Sequence, residues 1–417
     1  MRIYSYPEKK GWKLLFTAFF LLILFLSRDT LLAMNVVGFA KSQVLSALLV
    51  MAAGLLFLIY RRKQLKNILL DPRMALAILS AALLMLPMAI KRDWQLMYFS
   101  ILFYILSGIL ISYFIRLERA AKYYVIMMSV LGLYSVLCTY ALRILPDRGM
   151  LNVPIFAKSR NVEFYNFGLA QVSLEYVKNR NFGIFREPGV YQFFLLLGLY
   201  LNNYRVFWEK NWQLWTVNIL LAVTMLSTFA TGGVIEMGLL AVFLFFDKKW
   251  YRKRAARILA VLLVLLGIAG AGWILLTDNS LRADFVGMIT KFSSEESGAT
   301  RFDAIAIDME IFLSHPLVGD TIESVLHVVE SNSTSTMVMY AFLGFLGGSL
   351  HVAGWAALCW DKKRGILGNL VLLVILFMAF NTQNLSWNMI FWLFPMIALS
   401  QRGLALLFRK KVENYGS

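Results

Sequence analysis

Twelve apolar runs, each long enough to cross the ~30 Å hydrocarbon core of a bilayer, divide this chain and leave it few ways to fold. They fall at about 12–27, 44–60, 74–90, 96–115, 123–142, 188–206, 213–230, 232–246, 258–276, 336–358, 366–381 and 387–403. In lipid every backbone amide and carbonyl must be satisfied internally, so runs of this length predict helices. Composition agrees: of 417 residues 59% are apolar and 16% charged, where soluble domains carry about a quarter charged. The expected fold is an all-α polytopic membrane protein, a single transmembrane domain over 1–417 with two long loops, 143–187 and 277–335. The first run, Leu14 to Leu26, follows Lys9, Lys10 and Lys13 without a small-residue cleavage site and reads as a retained helix.

Charge orients the runs. With the N-terminus inside, the inner side holds 27 of the 41 Lys and Arg and 7 of the 24 Asp and Glu, and both long loops fall on the outer side. The basic excess of +17 therefore belongs to inner loops beside anionic headgroups, and it gives no reason to expect nucleic acid as a partner. Lys91-Arg92-Asp93 is the exception, because this topology places it outside. Cys138 and Cys359 are far apart inside apolar runs, and His315, His327 and His351 share no metal-binding spacing, so neither a disulfide framework nor a metal centre is expected.

The first long loop closes on Arg180-Asn181-Phe182-Gly183-Ile184-Phe185-Arg186-Glu187-Pro188-Gly189-Val190-Tyr191-Gln192. Proline at the start of a membrane helix leaves first-turn amides unpaired, and an arginine beside them makes a seat for phosphate. A helix-end arginine can equally reach lipid headgroups, and Glu187 can equally be its structural partner. The second loop carries Thr300-Arg301-Phe302-Asp303, a capping-box-like start to an amphipathic helix of about a dozen residues with Phe302, Ile305, Met309, Phe312 and Leu313 at helical spacing. Pro316 ends it. Gly344-Phe345-Leu346-Gly347-Gly348 in the next run permits close backbone packing.

Gly183 to Gly189, Arg301 heading a helix that ends His315-Pro316-Leu317-Val318-Gly319, and Gly344 to Gly347 together resemble the O-antigen and exopolysaccharide polymerase family. The resemblance implies a GT-C-like glycosyltransferase bundle of about a dozen spans in the bacterial cytoplasmic membrane, with cytoplasmic termini and an active site on the outer face. It implies transfer of a growing glycan from polyprenyl diphosphate to a lipid-linked repeat unit, without cofactor or metal, alongside a flippase and a chain-length regulator. The related O-antigen ligases carry a histidine about eleven positions before the first glycine of the pair, where this chain has Ser333 followed by Thr334. A rival from another class is a lipid-linked oligosaccharide flippase or transporter, although no related halves are evident.

On this reading Arg186 and Arg301 converge on the diphosphate, one from each long loop, with Arg180 and Arg160 as further phosphate contacts. Glu187 leads the candidate bases, yet its arginine neighbour and the helix end favour the charged form and weaken it as a proton acceptor. His327 and His315 are the other candidates for the base. Tyr191, one helical turn after Glu187, can orient that carboxylate or stack on sugar, and Asn332 and Ser333 are further sugar contacts.

Overall fold

The computed structural model describes residues 71–141, 180–276, 295–328 and 334–403 almost continuously, with shorter pieces within 22–33, 44–52 and 158–173 and at 282 and 286. The helical reading holds over these residues. Helices α1 (Pro72–Lys91), α2 (Leu96–Ile111) and α3 (Leu117–Val136) precede the first long loop, and α4 (Pro188–Tyr204), α5 (Asn211–Ser227), α6 (Thr231–Asp247) and α7 (Arg254–Leu276) follow it. The second long loop holds α8 (Glu295–Ser314) and α9 (Ile322–Val328), and α10 (Thr336–Cys359), α11 (Gly365–Phe380) and α12 (Met389–Ala398) complete the order. Among the described residues three segments are long and apolar enough to cross a membrane: Pro72–Lys91, Leu117–Tyr140 and Thr336–Cys359. Within the first long loop three short strands, β1 (Lys158–Ser159), β2 (Val162–Asn166) and β3 (Gln171–Ser173), form an antiparallel meander that the apolar pattern did not announce.

Burial separates the helices into two kinds. Every side chain of α4 from Val190 to Asn202 is buried, and so is all of α12. A helix that is apolar all round has neighbours all round: α3, α5 and α6 pack against α4, while α2 and α10 pack against α12. The core between them is aromatic, with Phe193 meeting Phe380, Phe391 and Trp355 at ring separations of 5.5, 6.0 and 6.4 Å. By contrast α7 leaves Ile258, Val261, Leu265, Ile268 and Trp273 exposed, and α11 leaves Ile366, Leu367 and Val374 exposed. Apolar outward faces of this extent suit a lipid surround.

The second long loop differs from expectation in one respect. Its helix spans Glu295–Ser314, so Thr300 lies inside it rather than capping it. The apolar stripe is split: Ala304 and Asp308 are buried and Phe312 meets the Tyr340 ring at 5.4 Å, whereas Met309 and Leu313 are exposed. Thr334 Oγ1 donates to the buried Asp308 carboxylate.

Two motifs that are separate in sequence form one unit. Gly344 interrupts α10 with φ 61° and ψ −165°, a backbone region open almost only to glycine. The stretch after α8 enters the gap: Phe345 N–H donates to the Pro316 carbonyl at 2.8 Å, and Asp320 N–H donates to the Ala341 carbonyl at 2.8 Å. Gly319, with φ 68°, lies so close that a Cβ on it would stand 2.6 Å from the Gly344 nitrogen. Close packing at the glycine pair was expected between helices. The partner is instead the loop that carries His315 to Gly319.

Lys91 completes this junction. Its ammonium donates to the Phe342 carbonyl freed by the break, to the Asp320 carbonyl at 2.8 Å and to Tyr98 Oη at 2.8 Å. Asp93 accepts from Tyr98 Oη at 3.2 Å and from Ile322 N–H at 3.0 Å. The cation whose expected side broke the charge rule thus has a structural task, whereas its neighbour Arg92 is exposed. Lys91→Met is expected to strand the Phe342 and Asp320 carbonyls at about 1–3 kcal/mol each and lower the detergent melting temperature by several degrees. Arg92→Met should leave it unchanged. Equal melting of the two variants in a thermal scan would remove Lys91 from this role.

Candidate functional site

Four helices, α4, α6, α10 and α12, begin at the same end of the bundle, and the polar residues joining their starts form a continuous seam. Arg186 stands in its middle. Gly183, at φ 55°, turns the chain so that Phe185 and Tyr191 stack at 5.2 Å, and a Cβ at Gly183 would press to 2.7 Å from the Tyr191 ring. Asn181 anchors the same turn: its side-chain oxygen accepts from Gly183 N–H at 2.9 Å, and its amide donates to Ser135 Oγ and Ser227 Oγ at 2.9 and 3.0 Å. Glu187 then adopts extended geometry as the N-cap of α4, and Pro188 opens the helix.

Arg186 Nε donates to Asp29 Oδ1 at 3.1 Å and one terminal nitrogen donates to Glu187 Oε1 at 3.2 Å. Among the described residues nothing engages the other terminal nitrogen, and the side chain is 22% exposed. Asp29 is buried and doubly committed. Its second oxygen accepts from Asn388 Nδ2 at 2.8 Å, and its backbone carbonyl accepts from Arg186 N–H at 2.9 Å. Asn388 in turn caps α12, accepting from Ile390 N–H at 3.0 Å. One buried carboxylate therefore ties the starts of α4 and α12 together and fixes the guanidinium between them.

From Asn388 the seam runs back through the segment between α11 and α12. Ser386 Oγ donates to the Ser335 carbonyl at 3.1 Å, and Leu385 N–H donates to Ser335 Oγ at 2.8 Å. Thr334, next to Ser335, donates to Asp308 of α8. On the other side Gln192 joins α4 to α6 by accepting from Gly233 N–H at 2.6 Å, and to the segment after α11 by donating to Thr382 Oγ1 at 3.2 Å. Four helix starts contribute partial positive charge here, and two carboxylates offset part of it beside Arg186.

The sequence candidates divide accordingly. Arg186 and Glu187 are brought together. Tyr191 is fully buried, its hydroxyl 3.1 Å from Ser135 Oγ, so its ring packs the turn and has no open face for a sugar. Arg180 is half-buried, with Nε donating to the Thr228 carbonyl at 2.9 Å. His315 is exposed within the Gly344 junction, its Nδ1 3.1 Å from Ser314 Oγ and 4.0 Å from Asp320 Oδ2. Arg301 lies in α8 and His327 in α9, with side chains outside the described set, and Arg160, Asn332 and Ser333 lie outside the described residues. Sequence reasoning missed Asp29, Asn388 and Gln383. The available signal was polar residues at the ends of apolar runs on the expected outer side: Ser27 and Asp29 after the first, and Asn381-Thr382-Gln383-Asn384 before the last. Comparison with protein-family models, with curated proteins and with solved structures returned no match.

Proposed function

We propose that this chain is a polysaccharide polymerase of the bacterial cytoplasmic membrane, a bundle of about twelve spans in the GT-C manner with both termini cytoplasmic. The Arg186 end of the bundle is then the outer face, where a growing glycan passes from polyprenyl diphosphate to a lipid-linked repeat unit. The observation that carries this reading is Arg186: a guanidinium fixed from behind by buried Asp29, with one terminal nitrogen unengaged among the described residues, at the junction of four helix starts. A diphosphate needs a fixed fork of donors and a positive field, and both are arranged before any ligand arrives.

In the reaction an acceptor hydroxyl attacks the anomeric carbon, the bond from that carbon to the diphosphate oxygen breaks, and the hydroxyl proton leaves to a base. The departing diphosphate takes the bonding electrons, so charge grows where Arg186, and Arg301 in this reading, hold it. Glu187 is the base candidate placed beside the phosphate seat, at the cost of releasing its bond to Arg186. A flippase would supply the lipid-linked unit, and a chain-length regulator would act on the product.

The break in α10 favours the rival reading, since interrupted helices often form transporter sites. Here the freed backbone groups are occupied by the Pro316–Asp320 stretch and by Lys91, which leaves that break closed. Glycan analysis of cells lacking the protein separates the readings. Single repeat units on lipid A or on carrier support polymerase, long polymer without its anchor supports a ligase, and repeat units retained on the cytoplasmic side support a flippase.

A further inference from the structure

At Gly189, in the first turn of α4, a side chain from a distant segment lies against the backbone. A methyl group there would stand 2.5 Å from Gln383 Nε2 and 3.2 Å from the Gln383 amide carbon. The Gln383 amide therefore rests on the opening of α4, over the residue two places past Glu187 and three past Arg186. The backbone beneath it is held on both sides. Thr382 Oγ1 donates to the Ala379 carbonyl at 2.9 Å, the Gln383 carbonyl accepts from Ser335 Oγ, and Leu385 N–H donates to the same Ser335 hydroxyl.

The side chains on this fixed segment are open. Gln383 is partly exposed, and its amide makes no hydrogen bond among the described residues. Asn384 is partly exposed too and uses only its oxygen, which accepts from Ser386 N–H at 3.3 Å. Elsewhere in the seam the amides of Asn181, Gln192 and Asn388 are all committed to the protein. A primary amide with no partner among the described residues and a second whose nitrogen has none, on a pinned backbone against the helix turn that follows Arg186, have the chemistry to meet a neutral polar group attached to an anionic one. Gln383 offers two donors and an acceptor and Asn384 two donors, which match the hydroxyl and acetamido groups of sugars and carry no charge to compete for phosphate.

We propose that Gln383 and Asn384 form the saccharide-contacting edge of the seam, holding the sugar next to a diphosphate seated on Arg186. The inference rests on the polymerase reading and adds to it the residues that read the glycan. Gly189 then serves as a positioning residue, acting through Gln383.

Two probes separate the parts: undecaprenyl diphosphate without sugar, and undecaprenyl-diphosphate-linked repeat unit extracted from cells lacking the protein. Binding is measured to the full chain in nanodiscs of phosphatidylethanolamine and phosphatidylglycerol. Gln383→Ala is expected to weaken the glycan-bearing lipid about 3- to 10-fold, the worth of one or two neutral hydrogen bonds, and to leave the bare lipid within about twofold. Gly189→Ala should produce the same selective loss, and combining it with Gln383→Ala should add nothing, because the alanine displaces a side chain already removed. Equal weakening of both lipids, unchanged binding of the glycan-bearing lipid by Gln383→Ala, or fully additive losses would each overturn the saccharide assignment while the polymerase reading stands. Wild-type protein that binds neither lipid would overturn that reading as well.

Discussion

Arg186→Ala is expected to abolish chain extension, by at least about 100-fold in rate, if two or more charge-assisted bonds to the departing diphosphate are lost. The same substitution leaves Asp29 buried beside Asn388 without its counter-charge, and breaking a buried pair in this way costs about 3–5 kcal/mol. Loss of product alone would therefore confound catalysis with folding. The structure supplies the control. Asp29→Asn removes the stranded charge, so the double variant Asp29→Asn/Arg186→Ala should recover most of the thermal stability and none of the activity. Arg186→Lys should keep the ion pair with Asp29 but lose the planar fork, and so retain stability with a partial loss of rate. Recovery of polymer by the stable double variant would show that Arg186 serves only to hold the helix starts together.

The second large effect lies at Gly344. A Cβ at this position would collide with the backbone of Leu317 and Val318, and the φ of 61° with ψ of −165° costs a side-chain-bearing residue about 1–3 kcal/mol before any collision. Neither atom group can move away cheaply, because Phe345 and Leu346 donate to the carbonyls of Pro316 and Leu317 across the same junction. Gly344→Ala is expected to open α10 from the second long loop and to prevent accumulation of monodisperse protein, as judged by size-exclusion chromatography in detergent. Gly319→Ala should act in the same direction. Gly238→Ala in α6, where an added methyl meets open space, should be tolerated and provides the control. Normal yield and melting of Gly344→Ala would contradict the interlocked junction.

How much of this was legible in the sequence depends on the range of the interaction. Apart from α8 and α9 in the second long loop, the helices from α1 onward follow the apolar runs to within about six residues, because length and hydropathy are local properties that lipid enforces. The turn at Arg186-Glu187-Pro188 was readable for the same reason: proline marks the helix start, and Tyr191 N–H does bond to the Glu187 carbonyl one turn back. Pairings across the chain were not readable. Asp29 was one carboxylate at the end of an apolar run, and nothing local assigned it to Arg186, 157 positions away. Gly319 and Gly344 each looked like ordinary glycines of a turn and a packed helix. Their positive φ values and mutual contact exist only once the second long loop folds back.

Charge was legible as a sum and misleading in detail. Several basic residues assigned to headgroup contact on the expected inner side are committed to the protein: Arg364 Nε pairs with Asp247 at 3.1 Å, Arg402 with Glu118 at 3.0 Å, and buried Arg205 holds the Leu358 and Trp360 carbonyls at the end of α10. The apolar stripe of α8 was legible, and exposed Met309 and Leu313 suit a membrane surround; the bond from Thr334 to buried Asp308 was not legible, because it joins residues 26 positions apart.

The most direct test of the account is reconstitution. The purified full chain in nanodiscs, given undecaprenyl-diphosphate-linked repeat units and no other protein, is predicted to yield a ladder of products spaced by one repeat unit, with stoichiometric release of undecaprenyl diphosphate. Intact starting material after prolonged incubation, from protein shown to bind the lipid-linked unit, would contradict it.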